Sequence, residues 1–238
     1  MTCHLLIPAA GSGKRMGADR NKLLLHLLGK PILQWTLESA IASNAIAWIG
    51  VMGQPHDYPE FQKIFNALNA TKPIHLIQGG ATRQASVFNG LKALPSECDR
   101  VLIHDGARCL ATPELFDRCD ISLQTMQGFI AAVPVKDTIK IVNGLTIVDT
   151  PNRDHLWAAQ TPQGFQADLL KNAHFKAVEL GWEVTDDAAL FEKVGLPVKI
   201  VIGEETNLKI TTQQDLAIAE FILKQRQAIL GLTQNNEM

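Results

Sequence analysis

Three cations, Lys14, Arg15 and Lys22, lie in and just after the glycine-bearing run Pro8-Ala9-Ala10-Gly11-Ser12-Gly13-Lys14-Arg15-Met16-Gly17. Glycines let a backbone approach a ligand closely, and consecutive amide N–H groups cradle phosphate oxygens. A loop that only turns a corner has no use for such a cluster of cations at one strand end. Phosphoryl transfer does, because the reaction spreads negative charge over several oxygens. Spacing disfavours two other glycine-loop chemistries. The run lacks the interval between Gly and Gly-Lys-Ser/Thr that a Walker loop needs. Gly11, Gly13 and Gly17 read GxGxxxG rather than GxGxxG, and no acidic residue ends the strand pattern near Trp48–Met52. A nicotinamide cofactor is therefore disfavoured.

The elements that position this loop follow from apolar periodicity. His4–Ala10, Ala45–Met52, Ile74–Ile77 and Arg100–His104 read as strands. Pro31 opens a predicted helix to about Ser43, with Ile32, Trp35, Leu37, Ala40 and Ile41 on its buried face, and further helices are predicted near Glu60–Leu68 and Gln84–Leu94. Such alternation predicts an α/β fold: a Rossmann-like, mostly parallel sheet with helices on both faces. Ligands bind such sheets outside the carboxyl ends of the strands. The Gly11–Gly17 loop, the Gly79–Gly80 turn and the Asp105–Arg108 loop should therefore share one edge. One segment departs from the pattern. Thr138–Val142 and Leu145–Thr150, joined by Asn143-Gly144, predict a β-hairpin that leaves the core as a flap or a docking arm at about 137–158. Val198–Ile202 reads as a last strand, Thr211–Leu230 as a closing helix, and Gly231–Met238 as a frayed tail.

Composition bounds the function classes. The 238 residues are 46% hydrophobic and 19% charged, enough for a core in one domain spanning 1–238. A net charge of −2 argues against nucleic acid or a membrane surface as partner. No apolar run approaches the roughly 20 residues that span a bilayer. The N-terminus lacks the pattern of a secretory signal. Cys3, Cys98, Cys109 and Cys119 form no CxxC pair, which predicts reduced thiols and a cytoplasmic location.

Six segments in order narrow the chemistry. The glycine run followed by Lys22 resembles nucleotidyltransferases that couple sugars to nucleoside triphosphates. Added to it are Gly79-Gly80-Ala81-Thr82-Arg83-Gln84-Ala85-Ser86-Val87, His104-Asp105-Gly106-Ala107-Arg108 and Pro134-Val135-Lys136-Asp137-Thr138. Arg153 before Leu156-Trp157 with Thr161-Pro162-Gln163, and Asn207-Leu208-Lys209-Ile210-Thr211, complete the set. Together they resemble the 2-C-methyl-D-erythritol 4-phosphate cytidylyltransferase family, from about residue 4 to about residue 224.

The resemblance implies roles. Ala9, Ala10, Gly11, Gly13 and Lys14 lie along the nucleotide, Arg15 and Lys22 hold its triphosphate, and Gly80 with Ser86 meets the cytosine edge. Asp105 stands near the ribose and the metal-bound phosphates. Arg108, Thr138, Arg153, Thr161 and Lys209 match positions that bind the sugar-alcohol phosphate, with Arg153 and Lys209 at the reacting centre. Mg²⁺ is the implied cofactor, held mainly by CTP phosphates with Asp105 as a candidate ligand. The implied assembly is a homodimer whose arm reaches into the neighbour's site. The chain departs from the family at Cys109, where Pro is usual, at Ala81, where an acidic residue is common, and at Leu23, where Gln is common. Three other readings stay open at this point: a ribitol 5-phosphate cytidylyltransferase, another sugar nucleotidyltransferase using UTP or CTP, and a non-catalytic nucleotide-binding regulator.

Overall fold

Strand β1 (Cys3–Pro8) is buried on both faces, because its side chains alternate between two apolar clusters. Leu5 and Ile7 face one cluster and Leu6 the other, the period of two that a strand covered on both sides requires. The computed structural model describes residues 3–11 and 21–236, with side chains through 229. After β1 come a short hairpin, β2 (His26–Leu27) and β3 (Lys30–Pro31), then α1 (Ile32–Ala42), β4 (Ile46–Gly53), α2 (Tyr58–Ala67), β5 (Ile74–Gln78), α3 (Arg83–Lys92) and β6 (Arg100–Ile103). The second half contributes α4 (Pro113–Ser122), β7 (Gly128–Pro134), β8 (Ile141–Asn143), β9 (Thr146–Asp149), β10 (Trp157–Gln166), α5 (Ala167–Leu180), α6 (Ala188–Lys193), β11 (Lys199–Ile202) and α7 (Gln213–Asn236). Seven strands form one sheet in the order β11-β7-β10-β6-β1-β4-β5. Apolar residues of α1, α2, α4 and α7 pack on one face of it and those of α3, α5 and α6 on the other.

The expected mostly parallel sheet is present, and one strand runs against it. β10 is antiparallel to both β6 and β7. Pro162 argues against a central strand, since it has no N–H for the ladder. A bulge resolves the conflict: Ala159 pairs with Ala132 and Gln163 with Ile130, so Gln160, Thr161 and Pro162 together oppose Ala131. Bulges re-aim side chains beside active sites, and this one turns Thr161 toward β6. Two boundaries differ from the sequence reading. The hairpin closes on the Asn143–Thr146 pair, so Gly144 and Leu145 make the turn. Gly144 alone has a positive φ, +60°, as a turn with Gly first in its centre requires. Helix α7 continues through Gly231 to Asn236, where a frayed tail was expected.

Candidate active site

Three carboxyl ends of parallel strands meet at one edge, as expected. β1 leads into Ala9–Gly11, β5 into Gly79-Gly80, and β6 into His104 and Asp105. Together with α3, the Lys22 turn and Lys209 they line a cleft of about 200 Å³. Gly13, Lys14 and Arg15 lie outside the described residues. The two glycines after β5 are steric necessities. A Cβ on Gly79 would stand 2.6 Å from the Ala10 Cβ, and one on Gly80 2.5 Å from the Ala85 Cβ. The turn therefore nests between the start of the glycine loop and the first turn of α3. Thr82 caps that helix by accepting from Ala85 N at 3.0 Å. Ser86, buried, accepts from Gly80 N at 3.0 Å and donates to Thr82 O at 2.8 Å. Its hydroxyl thus sets the Gly80 backbone.

Asn21 was not singled out in the sequence, and it clamps the loop. Its buried Nδ2 donates to Ala9 O at 2.6 Å and to Asp57 Oδ2 at 2.8 Å, while Oδ1 accepts from Leu23 N at 3.1 Å. One amide so joins the end of β1, the N-terminus of α2 and the short 3-10 turn Lys22–Leu24. Lys22 Nζ then donates to Ile210 O at 2.9 Å. Lys209, the residue before, reaches Asp105 Oδ2 with its Nζ at 2.6 Å. Residues from opposite ends of the chain therefore bring two lysines to the lining of one cleft.

Asp105 is the best-paired group in the cleft. Arg83 Nε donates to its Oδ1 at 3.3 Å, opposite Lys209 on Oδ2. Burial pushes its carboxyl up, but the Arg83 and Lys209 cations outweigh that and hold it well below the usual carboxylate range. Its backbone N–H donates to Thr161 Oγ1 at 3.0 Å. Thr161 Oγ1 also meets His104 Nδ1 at 3.1 Å, and His104 Nε2 meets Arg108 O at 3.2 Å. The carbonyl can only accept, so Nε2 carries the proton and Nδ1 accepts from Thr161. The neutral imidazole is fully satisfied.

That arrangement sets a pH dependence. His104 is 0% exposed. Burial lowers its pKa to about 4, against a smaller upward pull from Asp105. Unfolded, the ring binds a proton near pH 6.5; folded, it resists until about pH 4. The unfolded state therefore holds more protons across this window, and stability falls as pH drops through it, by up to about 3 kcal/mol. Asp105 acts in the other range, its contribution being lost only below the ordinary carboxylate pKa. Urea unfolding at several pH values between 7 and 4.5, on the wild type and on His104→Gln, measures this. The slope should be markedly smaller in the variant; equal slopes would refute the assignment.

The remaining sequence-derived residues separate into two groups. Arg108 is buried outside the cleft lining, donating from Nη1 to Asn207 O at 2.7 Å and from Nη2 to Ala159 O at 3.2 Å. It ties the Lys209 segment to the β10 bulge, and Ile210 N donates to Ala107 O beside it at 2.9 Å. Thr138 and Arg153 lie elsewhere, both exposed on the stem of the hairpin arm. Thr138 is in irregular backbone ahead of β8 rather than in the strand read from sequence, and Arg153 Nη1 donates to Lys136 O at 2.8 Å. Cys109 is buried and unpaired in any disulfide, and burial pushes its thiol up to about 12, which makes it a poor nucleophile.

A family model described as IspD, 2-C-methyl-D-erythritol 4-phosphate cytidylyltransferase, matches residues 3–225 of the chain. A protein of that name from Crocosphaera subtropica is 69% identical over 224 residues, covering 94% of this chain and 98% of its own. One from Microcystis aeruginosa is 68% identical over 224 residues, covering 94% and 99%. Among solved structures, 4-diphosphocytidyl-2C-methyl-D-erythritol synthase from Anaerococcus prevotii has a TM-score of 0.83 at 34% identity, over 94% of this chain and 98% of that one. The 2-C-methyl-D-erythritol 4-phosphate cytidylyltransferase from Thermus thermophilus gives 0.77 at 34% identity, over 94% and 100%.

Proposed function

The chain belongs to the 2-C-methyl-D-erythritol 4-phosphate cytidylyltransferase family, and from that we infer its reaction: the methylerythritol phosphate oxygen attacks the α-phosphorus of CTP. The new P–O bond forms in line, the bond to the β-phosphate bridging oxygen breaks, and its electron pair leaves with pyrophosphate. The product is the CDP-alcohol of the non-mevalonate isoprenoid route. The observation that carries the reading is that Lys22 and Lys209 line one cleft with Asp105 and Gly80, Lys22 bonded to Ile210 O and Lys209 to the Asp105 carboxylate. Two anions must approach against their repulsion, and fixed cations at the point of approach lower that cost and stabilise the charge at phosphorus. With the thiols buried, the geometry favours direct transfer over a covalent enzyme intermediate.

We assign the triphosphate to Lys22 in the cleft, with Arg15 carried over from the family resemblance alone, and the base to the Gly80 backbone held by Ser86. Asp105 is the only carboxylate lining the cleft among the described residues. Those residues hold no group of three or more His, Cys, Asp or Glu able to bind a metal ion. One carboxylate beside substrate phosphates is a donor set Mg²⁺ accepts, so the site fits an ion carried in by CTP. When bound, Mg²⁺ supplies neutralisation of triphosphate charge. We further read the chain as one domain that works in the cytoplasm as a homodimer through its arm. Ile139, Ile141, Val142, Leu145, Ile147 and Val148 are all exposed there, which supports a covering partner. No helix among the described residues is long and apolar enough to cross a membrane.

Pyrophosphate release with each of four nucleoside triphosphates, and with methylerythritol phosphate or ribitol phosphate, tests the reading. CTP with methylerythritol phosphate should be fastest. Faster turnover with ribitol phosphate, or none at all, would overturn it. CTP should exceed UTP by about 1–3 kcal/mol, roughly 5- to 150-fold in kcat/KM, because UTP leaves the site's amino-reading acceptor unpaired. Equal kcat/KM values would refute the base assignment.

A further inference from the structure

Arg83, on the first turn of α3, has no part in the chemistry above, yet it lines the cleft and touches two carboxylates. Its Nε meets Asp105 Oδ1 at 3.3 Å, and its Nη1 meets Asp187 Oδ2 at 2.7 Å. Each carboxylate has a second partner on its other oxygen: Lys209 Nζ on Asp105 at 2.6 Å, His174 Nε2 on Asp187 at 3.1 Å. Five side chains thus form one row, Lys209–Asp105–Arg83–Asp187–His174, running from the cleft into the core. The inner end is rigid. Asp187 and His174 side chains are each 1% exposed. Asp187 is the N-cap residue of α6, its carbonyl accepting from Leu190 N at 3.2 Å. The His174 ring stacks on Phe88 with centroids 5.7 Å apart and 3° between planes, and Phe88 belongs to the same helix as Arg83.

At the outer end the backbone is fixed by Thr161 on Asp105 N, but the Asp105 carboxylate itself is held by Arg83 and Lys209. Asp105 follows β6 on a loop, and its χ2 is a broad, soft torsion. Lys209 is a flexible chain ending in a point charge. We propose that Arg83 is a positioning residue: its guanidinium fork locks the Asp105 carboxylate, and through it Lys209, to the buried Asp187 anchor. The reading rests on the cytidylyltransferase assignment. Under that assignment Lys209 turns to the incoming phosphate during turnover, and Arg83 keeps Asp105 held in its absence. A lysine at 83 keeps the charge but loses the fork, and a point donor does not hold two carboxylates in fixed relation. Displacement of a reacting group by about 1 Å costs on the order of 10²-fold in rate.

Steady-state kcat and thermal midpoints should be measured for the wild type, Arg83→Lys, Arg83→Gln, Asp187→Asn and the Arg83→Lys/Asp187→Asn double variant. Arg83→Lys and Arg83→Gln should each lose ~10- to 100-fold in kcat while remaining folded, and Asp187→Asn roughly 10-fold. Because Asp187 acts through Arg83, the double variant should fall no more than about twofold below Arg83→Lys. Retention of most kcat in Arg83→Lys, or a double-variant loss equal to the product of the single losses, would overturn the proposal. If Asp187→Asn does not fold, the part-exposed position 83 decides alone: a lysine variant much faster than the glutamine variant would show that charge suffices. Wild-type pyrophosphate release measures the cytidylyltransferase assignment separately, so the two readings fail in different samples.

Discussion

Lys22→Ala should lower kcat by a factor on the order of 10² or more, and Lys209→Ala by a similar factor. Lys22 Nζ bonds Ile210 O and Lys209 Nζ bonds Asp105 in the same cleft, so under the proposed assignment each would supply charge where the triphosphate and the second phosphate come together. Neither can replace the other, because they arrive from different elements with different reach. The fold should survive both changes. The Lys22 turn is held by Asn21 rather than by its own side chain, and the Lys209 segment by Arg108 and the Ile210–Ala107 hydrogen bond. Single-turnover rates with CTP, alongside circular dichroism, separate chemistry from unfolding. A folded Lys22→Ala protein with most of its wild-type turnover would remove the triphosphate assignment.

Arg153→Ala should be as inactive as Lys22→Ala, and mixing the two dead proteins should restore activity. Arg153 stands on an exposed 3-10 turn at the base of the arm, outside the lining of its own chain's cleft. Among the described residues β8 and β9 pair only with each other, and Leu145 at their tip is 103% exposed. A lone two-stranded hairpin is marginal in water. Contact with the same arm of a second copy would cover it and carry Arg153 to the partner's cleft. After subunits are separated and re-associated, a mixed dimer has one site with both lesions and one with neither. With half the dimers mixed, about a quarter of wild-type activity should return. If Arg153 serves its own chain, every site keeps one lesion and the mixture stays inactive.

The sheet's first half was legible because its strands are short apolar runs ended by Gly, Pro or Asp. β1, β4, β5 and β6 fall within a residue or two of their expected bounds. Parallel neighbours then brought Gly11, Gly80 and Asp105 to one edge, as the topology of such sheets dictates. In the second half the hairpin, β11 and α7 were expected, whereas α4, β7, β10, α5 and α6 were not. β10 contains Gln160, Thr161, Pro162 and Gln163, a polar stretch with a proline, and only its bulge between β6 and β7 makes it a strand. α5 and α6 carry the inner end of the Arg83 row, and local periodicity had not singled them out.

The chemistry on offer was already written in residue types and their order: a glycine run with cations, a Gly-Gly turn before Ser86, an aspartate after an apolar run, and a lysine near the C-terminus. Residue types and order suffice for that, because these groups carry their reactivity with them. Tertiary structure decided which of them act together. Lys209 meets Asp105 across 104 residues, Arg83 meets Asp187 across 104, and Arg108 reaches Asn207 across 99. It also assigned Ser86 and Arg108 to holding backbone in this structure, and set Arg153 apart from the cleft. Such pairings depend on which loops the sheet juxtaposes and on a bulge that rotates Thr161 toward His104. They are set by packing over the whole chain, which no local run of residues encodes.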